Sequence, residues 1–394
     1  MPDKLKDLAL GKSGSLSSIE DLMQKLQSEE KFKLRLPAKL NSRGALGIEA
    51  AVIQLLGTWL KSGNYQKIFH TYQDATTEDF AKLCSSIYGI AALSLVDEVW
   101  DKIKVKQPRS MVLHEAKTIV ENIRSRDFSK SFKSRYFGIP CITKPEYDRE
   151  FHMPVYNNNN VIEGDAFYNL MKQIMSDTIN GDTRFNRLEN KIGLQDLSDL
   201  LWELFKNTHD HGRCDDDGDE LDLNFRSLII QQLDITPKYL TQWCGDSPTT
   251  AQLNFCQHLP KSPYSDDDTP ETDKYHILDI SITDFGAGFL NLASDKANKE
   301  DPKKVLLKCL ESGWSRLQSR SRGDGLTKVL EKVNRYKGWL RIRTGNLLLE
   351  KSFTNENNYQ ISESDITVLS NFVVGTTVHI SIPLQIELAT EGNS

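Results

Sequence analysis

Residues 275–289 read YHILDISITDFGAGF, a β-rich stretch that ends at Asp284 and runs into Gly286, Ala287 and Gly288. Glycines at a strand end let the backbone turn sharply and approach a ligand without side-chain obstruction. An aspartate there can accept a hydrogen bond from an exocyclic amine such as that of adenine. Taken alone, the stretch is equally a plain strand-to-loop turn, so its neighbours in the chain decide how it is read.

Upstream, residues 197–211 read LSDLLWELFKNTHDH. Leu194, Leu197, Leu201, Leu204 and Phe205 give a helix an apolar face, and Glu203, Asn207 and His211 succeed one another along its flank. A carboxylate, an amide and an imidazole thus line one edge of a buried helix. Downstream, residues 312–333 read SGWSRLQSRSRGDGLTKVLEKV. Gly323 and Gly325 precede a helix whose core face carries Leu326, Val329, Leu330 and Val333. A glycine loop opening onto a helix N-terminus offers free amides and partial positive charge to phosphates, with Arg316, Arg320 and Arg322 nearby. Finally, residues 373–383 read VVGTTVHISIP, a β-rich segment containing Gly375 and Thr376 that follows the expected strands WLRIR and NLLLE. A threonine hydroxyl can bond a base or an ordered water.

In this order, the four segments resemble the N box, the two glycine boxes and the final threonine box of the GHKL superfamily, which includes gyrase B, heat-shock chaperone, mismatch-repair and histidine-kinase ATPases. The resemblance covers about half of the chain. It implies an α+β fold, with a Bergerat-type two-layer α/β sandwich on a mixed sheet over residues 191–388, preceded by a smaller N-terminal α/β region. It also implies ATP and Mg2+ as ligands. Asp284 would bind the adenine amine with Thr376 supporting it through a water, and Asn207 would coordinate the magnesium. Gly286 and Gly288 would shape the base pocket and one lid hinge. Arg322, Gly323, Gly325 and Leu326 would hold the phosphates at the other hinge. Glu203 matches the carboxylate that activates water in hydrolysing members, and His211 closes the N box. The implied function is an ATPase whose nucleotide state controls a protein partner through the N-terminal region. A soluble kinase acting in trans and a non-catalytic ATP sensor are the alternatives.

The remainder of the chain bounds these expectations. Its 394 residues suggest two or three folding units. A net charge of −6 gives no global attraction to nucleic acid or anionic lipid. The longest apolar run, residues 87–96, falls short of the roughly 20 residues of a membrane span, and the N-terminus lacks a secretory signal core. These features point to the cytoplasm. Six scattered cysteines without a CxxC pair fit reduced thiols. His209, His211, Cys214, Cys244, Cys256 and His258 match no standard zinc-finger spacing. His114, followed by Glu115, lacks the second long helix that a phosphoacceptor hairpin requires.

Before the motifs, residues 1–30 read as a tail and a short helix with Ser17 and Glu20 spaced as a capping box. Residues 31–110 read as a small α/β domain whose element order resembles STAS-like modules. It has strands at KFKLRLP and QKIFHTY, and helices over residues 46–61 and 77–102. Residues 111–190 form a connecting α/β region containing the strand RYFGIPCI and a helix near residues 166–180. The acidic patches CDDDGDELD and SDDDTPETD mark an insertion near residues 212–274.

Overall fold

The computed structural model describes residues 5–133, 135–145, 147, 150–179, 193–215, 217–236, 248–260, 274–289, 301–310, 325–354 and 359–384. It is a mixed α/β structure with two principal sheets. The first is parallel, in the order β1 (Lys6–Ala9), β2 (Phe32–Arg35), β3 (Ile68–His70) and β4 (Glu98–Trp100). Its crossovers carry α1 (Leu16–Lys25), α2 (Ile48–Lys61), α3 (Thr77–Leu83) and α4 (Ile87–Leu95). Next in the chain come α5 (Arg109–Arg124), β5 (Tyr136–Thr143), the short hairpin β6 (Tyr156–Asn157) and β7 (Asn160–Val161), α6 (Asp165–Thr178) and α7 (Leu194–His211). The C-terminal part adds β8 (Asn224–Ile235), α8 (Thr250–Gln257), β9 (Tyr275–Asp284), α9 (Pro302–Leu310), α10 (Gly325–Arg335), β10 (Trp339–Ser352) and β11 (Ile366–Pro383). The second sheet has the order β10-β11-β9-β8-β5.

Several expectations change here. Among the described residues the second sheet is not mixed, because each of its four strand pairings is antiparallel. It is also not confined to residues beyond 190, since β5 pairs along its whole length with β8. Nor is the arrangement two-layered. The helices α6, α7 and α10 lie on one side of the sheet, while α2 packs on β9 and β11 from the other, and one continuous apolar core runs from Leu8 to Leu384. The helix expected over residues 77–102 is instead two helices and a strand. The Ser86 hydroxyl caps the Leu83 carbonyl at 3.0 Å, and the chain turns so tightly there that a Cβ on Gly89 would lie 1.9 Å from that same oxygen. The α1 capping box is formed by Ser15 and Ser18, not by Ser17 and Glu20. Among the described residues, no helix is long and apolar enough to cross a membrane.

Helix α2 explains the extra layers. Its sequence, IEAAVIQLLGTWLK, is apolar around most of its circumference, which requires burial on every side, and Ile48 through Leu60 are all buried. Trp59 donates its indole N–H to the Phe32 carbonyl of the parallel sheet at 2.9 Å. On the opposite side, Gln54 donates to the Arg343 carbonyl of the antiparallel sheet at 3.0 Å. Helix α1 is fixed beside it by Glu20, which receives Arg343 Nε at 3.0 Å and Asn371 Nδ2 at 2.9 Å. Although burial opposes it, this cationic and hydrogen-bonding surround holds the Glu20 carboxyl below its usual range.

Removing one partner of a buried ion pair strands the other charge in a dry environment. Arg343 is fully buried, so Glu20→Ala is expected to cost about 3 kcal/mol of unfolding free energy. Glu20→Gln, which keeps an acceptor for Arg343, is expected to cost less. Urea denaturation of both variants checks the order.

Candidate functional site

A cleft forms where α7 and α10 face β9 and β11. It is lined by Leu204, Asn207, Thr208, His211 and Gly212 from α7 and its end, and by Ile282, Asp284, Gly288 and Phe289 from β9 and the turn after it. Leu326, Thr376 and Val378 complete it. Asn207, His211, Asp284, Gly288, Leu326 and Thr376, predicted from segments spread over 170 residues of sequence, therefore share one cavity. Arg322 and Gly323 lie outside the described residues. Gly325 opens α10.

The convergence depends on close backbone approach. A Cβ on Gly212 would sit 2.6 Å from that of Asp284, and one on Gly286 would sit 2.5 Å from Gly212 Cα. The end of α7 and the glycine turn thus touch through their main chains, which only glycine permits. Gly375 has φ +68°, and a Cβ there would lie 1.9 Å from the Asp284 carbonyl oxygen. Asn224 secures the junction by donating to the Gly212 carbonyl at 2.7 Å.

Asp284 stands opposite Thr376 on one side and Arg226 on the other. Its Oδ1 accepts the Gly286 N–H at 2.9 Å. Burial pushes its carboxyl up to about 6, against the hydrogen bonds from Gly286 and Thr376 and the positive charges of Arg226 and Lys61. Arg226 is itself buried and pairs with Glu150. Thr344 bonds Thr376 through their hydroxyls at 3.1 Å and accepts the Phe289 N–H at 3.1 Å. A Cβ on Gly288 would lie 2.8 Å from that Thr344 oxygen. Gly212, Asn224, Arg226 and Thr344 escaped the sequence reading, because their contributions are backbone proximity and cross-strand register rather than motif spacing.

Glu203 is not part of the cleft. It lines a neighbouring groove of about 330 Å³ with Glu163, Phe167, Trp202, Lys328 and Lys332. The cleft itself has about 40 Å³, room for a few waters. Volume and chemistry therefore point to different hollows. The convergent polar groups and the shifted carboxyl favour the cleft as the binding site. Among the potential zinc ligands, His209 packs edge-on against Phe151 and tilted against Tyr156, and burial lowers its imidazole to about 4, with Arg226, Arg213 and Lys206 adding to the effect. Cys244 lies outside the described residues. Among those described, no group of three or more His, Cys, Asp or Glu residues is arranged to hold a metal.

Comparison with protein-family models, with curated proteins and with solved structures finds no match.

A carboxyl whose folded-state value is raised binds its proton more tightly folded than unfolded. Its stabilising contribution is present below the unfolded value of 3.8 and is lost as the pH rises through about 6. Asp284→Asn removes this loss while preserving an acceptor for Gly286. Above pH 6 the variant is expected to be more stable than the unmodified protein, on the order of 2 kcal/mol, with the difference shrinking toward pH 4. Thermal denaturation across that range measures it.

Proposed function

We propose that the cleft binds ATP with magnesium and that the protein is an ATPase of GHKL type whose nucleotide state controls a protein partner. The observation that carries this reading is the meeting of Asn207, Asp284, Thr376 and Leu326 in one cavity, each on the kind of element the resemblance assigns to it. Asp284 offers an acceptor to the adenine amine, and Thr376 a hydroxyl beside it. The start of α10 lies where its free amides and dipole favour phosphate. At about 40 Å³ the cleft would have to widen to admit a purine.

Magnesium fits as an ion carried by the nucleotide. It favours octahedral oxygen coordination, keeps several waters, and takes few protein ligands alongside substrate phosphates. Among the described residues the cleft has no carboxylate cage, so Asn207 would hold the ion through its amide oxygen, and the ion would supply positive charge to the phosphates. Glu203, in the adjoining groove, is the residue proposed to activate the attacking water. The same groove could admit a partner's side chain, which keeps the trans-kinase reading as the second choice.

Titration of the full chain with a fluorescent ATP analogue, with and without a chelator, tests the assignment. Binding is expected only with magnesium, lost in Asp284→Asn and largely freed of its metal dependence in Asn207→Ala. Equal affinity with and without the chelator in the unmodified protein would contradict the metal site. Glu203→Ala is expected to cut phosphate release roughly a hundredfold or more while leaving affinity unchanged, because a base acts on water rather than on the bound ground state. Label from γ-labelled ATP appearing on a partner protein would replace hydrolysis with the kinase reading.

A further inference from the structure

The glycine turn after β9 is shaped on its reverse side by a helix that belongs to the N-terminal part of the chain. Phe285 lies between Asp284 and Gly286 and is almost fully buried, with its ring 5.6 Å from that of Phe225. It is received by Gly57 of α2, where an added Cβ would lie 2.5 Å from the Phe285 ring. One turn later, Lys61 Nζ donates to the Phe285 carbonyl. Between them, Thr58 Oγ1 accepts the Val374 N–H at 3.1 Å and donates to the Gln54 carbonyl at 2.8 Å. Val374 precedes Gly375, whose backbone is in contact with the Asp284 carbonyl.

We propose that the last turn of α2 is a positioning element of the cleft. Gly57 and Lys61 set the path of residues 284–286, and Thr58 sets the approach of residues 374–376, so the seating of the N-terminal helices determines nucleotide affinity. This inference rests on the ATP reading and supplies a physical route for partner control. A protein that displaces α2 moves the acceptor carboxylate and its threonine neighbour without touching the cleft. The two states would differ in ligand affinity because their turn geometry differs.

The side chains involved make the route testable in the full chain. Gly57→Ala forces the Phe285 ring to shift, and Lys61→Met removes the donor to its carbonyl while keeping an unbranched apolar stem. Each is expected to weaken binding of a fluorescent ATP analogue with magnesium by about tenfold. Lys61→Arg, which retains a donor, is expected to recover most of the loss. Adding Phe285→Leu to Gly57→Ala should restore affinity beyond the sum of the single effects, a coupling that general destabilisation does not produce. Amide hydrogen exchange at Gly286 and Ala287, followed without nucleotide, should rise in Lys61→Met, and this carries the test if Gly57→Ala fails to fold. Unchanged exchange and unchanged affinity in Lys61→Met overturn the inference. Faster exchange in a protein that binds no ATP leaves the mechanical link standing and overturns the nucleotide reading instead.

Discussion

Burial of α2 on all sides is the constraint from which the rest of the structure follows. A helix between two sheets has no solvent for its polar groups, and each one left unpaired costs about 1–3 kcal/mol. Here the polar side chains reach outward to both layers. Glu49 accepts the Ile87 and Tyr88 N–H groups at the start of α4 and the Tyr136 hydroxyl of β5, while burial pushes its carboxyl up to about 7. Trp59 holds the parallel sheet, and Gln54, Thr58 and Lys61 hold the antiparallel one and its glycine turn. Because these bonds come from a single rigid element, a shift of α2 is felt by both sheets and by the glycine turn.

The sequence makes the elements legible but hides how they are layered. In β9 and β11, Asp279, Ser281, Thr283, Thr377, His379 and Ser381 fall on one face. Such a polar face normally meets water, in keeping with the two layers that the resemblance implies. In the folded chain all six are buried. His379 bonds Ser281 at 2.8 Å and Ser381 at 3.0 Å, Ser381 donates to Asp279 at 2.6 Å, and Asp279 accepts the Leu46 N–H at 3.0 Å just before α2. The face is covered because its groups are satisfied by one another and by the incoming N-terminal chain. That matching joins residues more than two hundred positions apart, which neither periodicity nor local propensity registers.

The site was legible to the extent that it is local. Asp284 at a strand end, the glycines after it and Thr376 after Gly375 announce themselves by spacing. Glu203 shows how spacing along one helix can divide residues between two hollows. At 3.6 residues per turn, a step of four advances about 40° beyond a full circle. Residues 203, 207 and 211 therefore drift steadily around α7. His211 and Asn207 remain in the cleft, whereas Glu203, one step beyond Asn207 and two from His211, turns into the adjoining groove. Thr344 and Arg226 were invisible for a different reason: strand register alone brings β10 and β8 beside the predicted residues.

The electrostatics of the cleft give this geometry a direction. Asp284 loses hydration through burial, and the nearest strong cation across the sheet, Arg226, is already engaged by Glu150. Hydrogen bonds from the turn compensate only in part, since its carboxyl still lies near 6. A carboxylate can accept more bonds than the main chain supplies here. A neutral donor entering the space lined by Leu204, Ile282 and Val378 would relieve part of that buried charge. On the proposed reading, an exocyclic amine on a flat apolar ring supplies such a donor, and a ring with a carbonyl at that position would set two acceptors against each other. On that reading the burial of Asp284 and the selectivity of the cleft would share a single cause, the close approach of Gly212, Gly286 and Gly375 around residues 284–286.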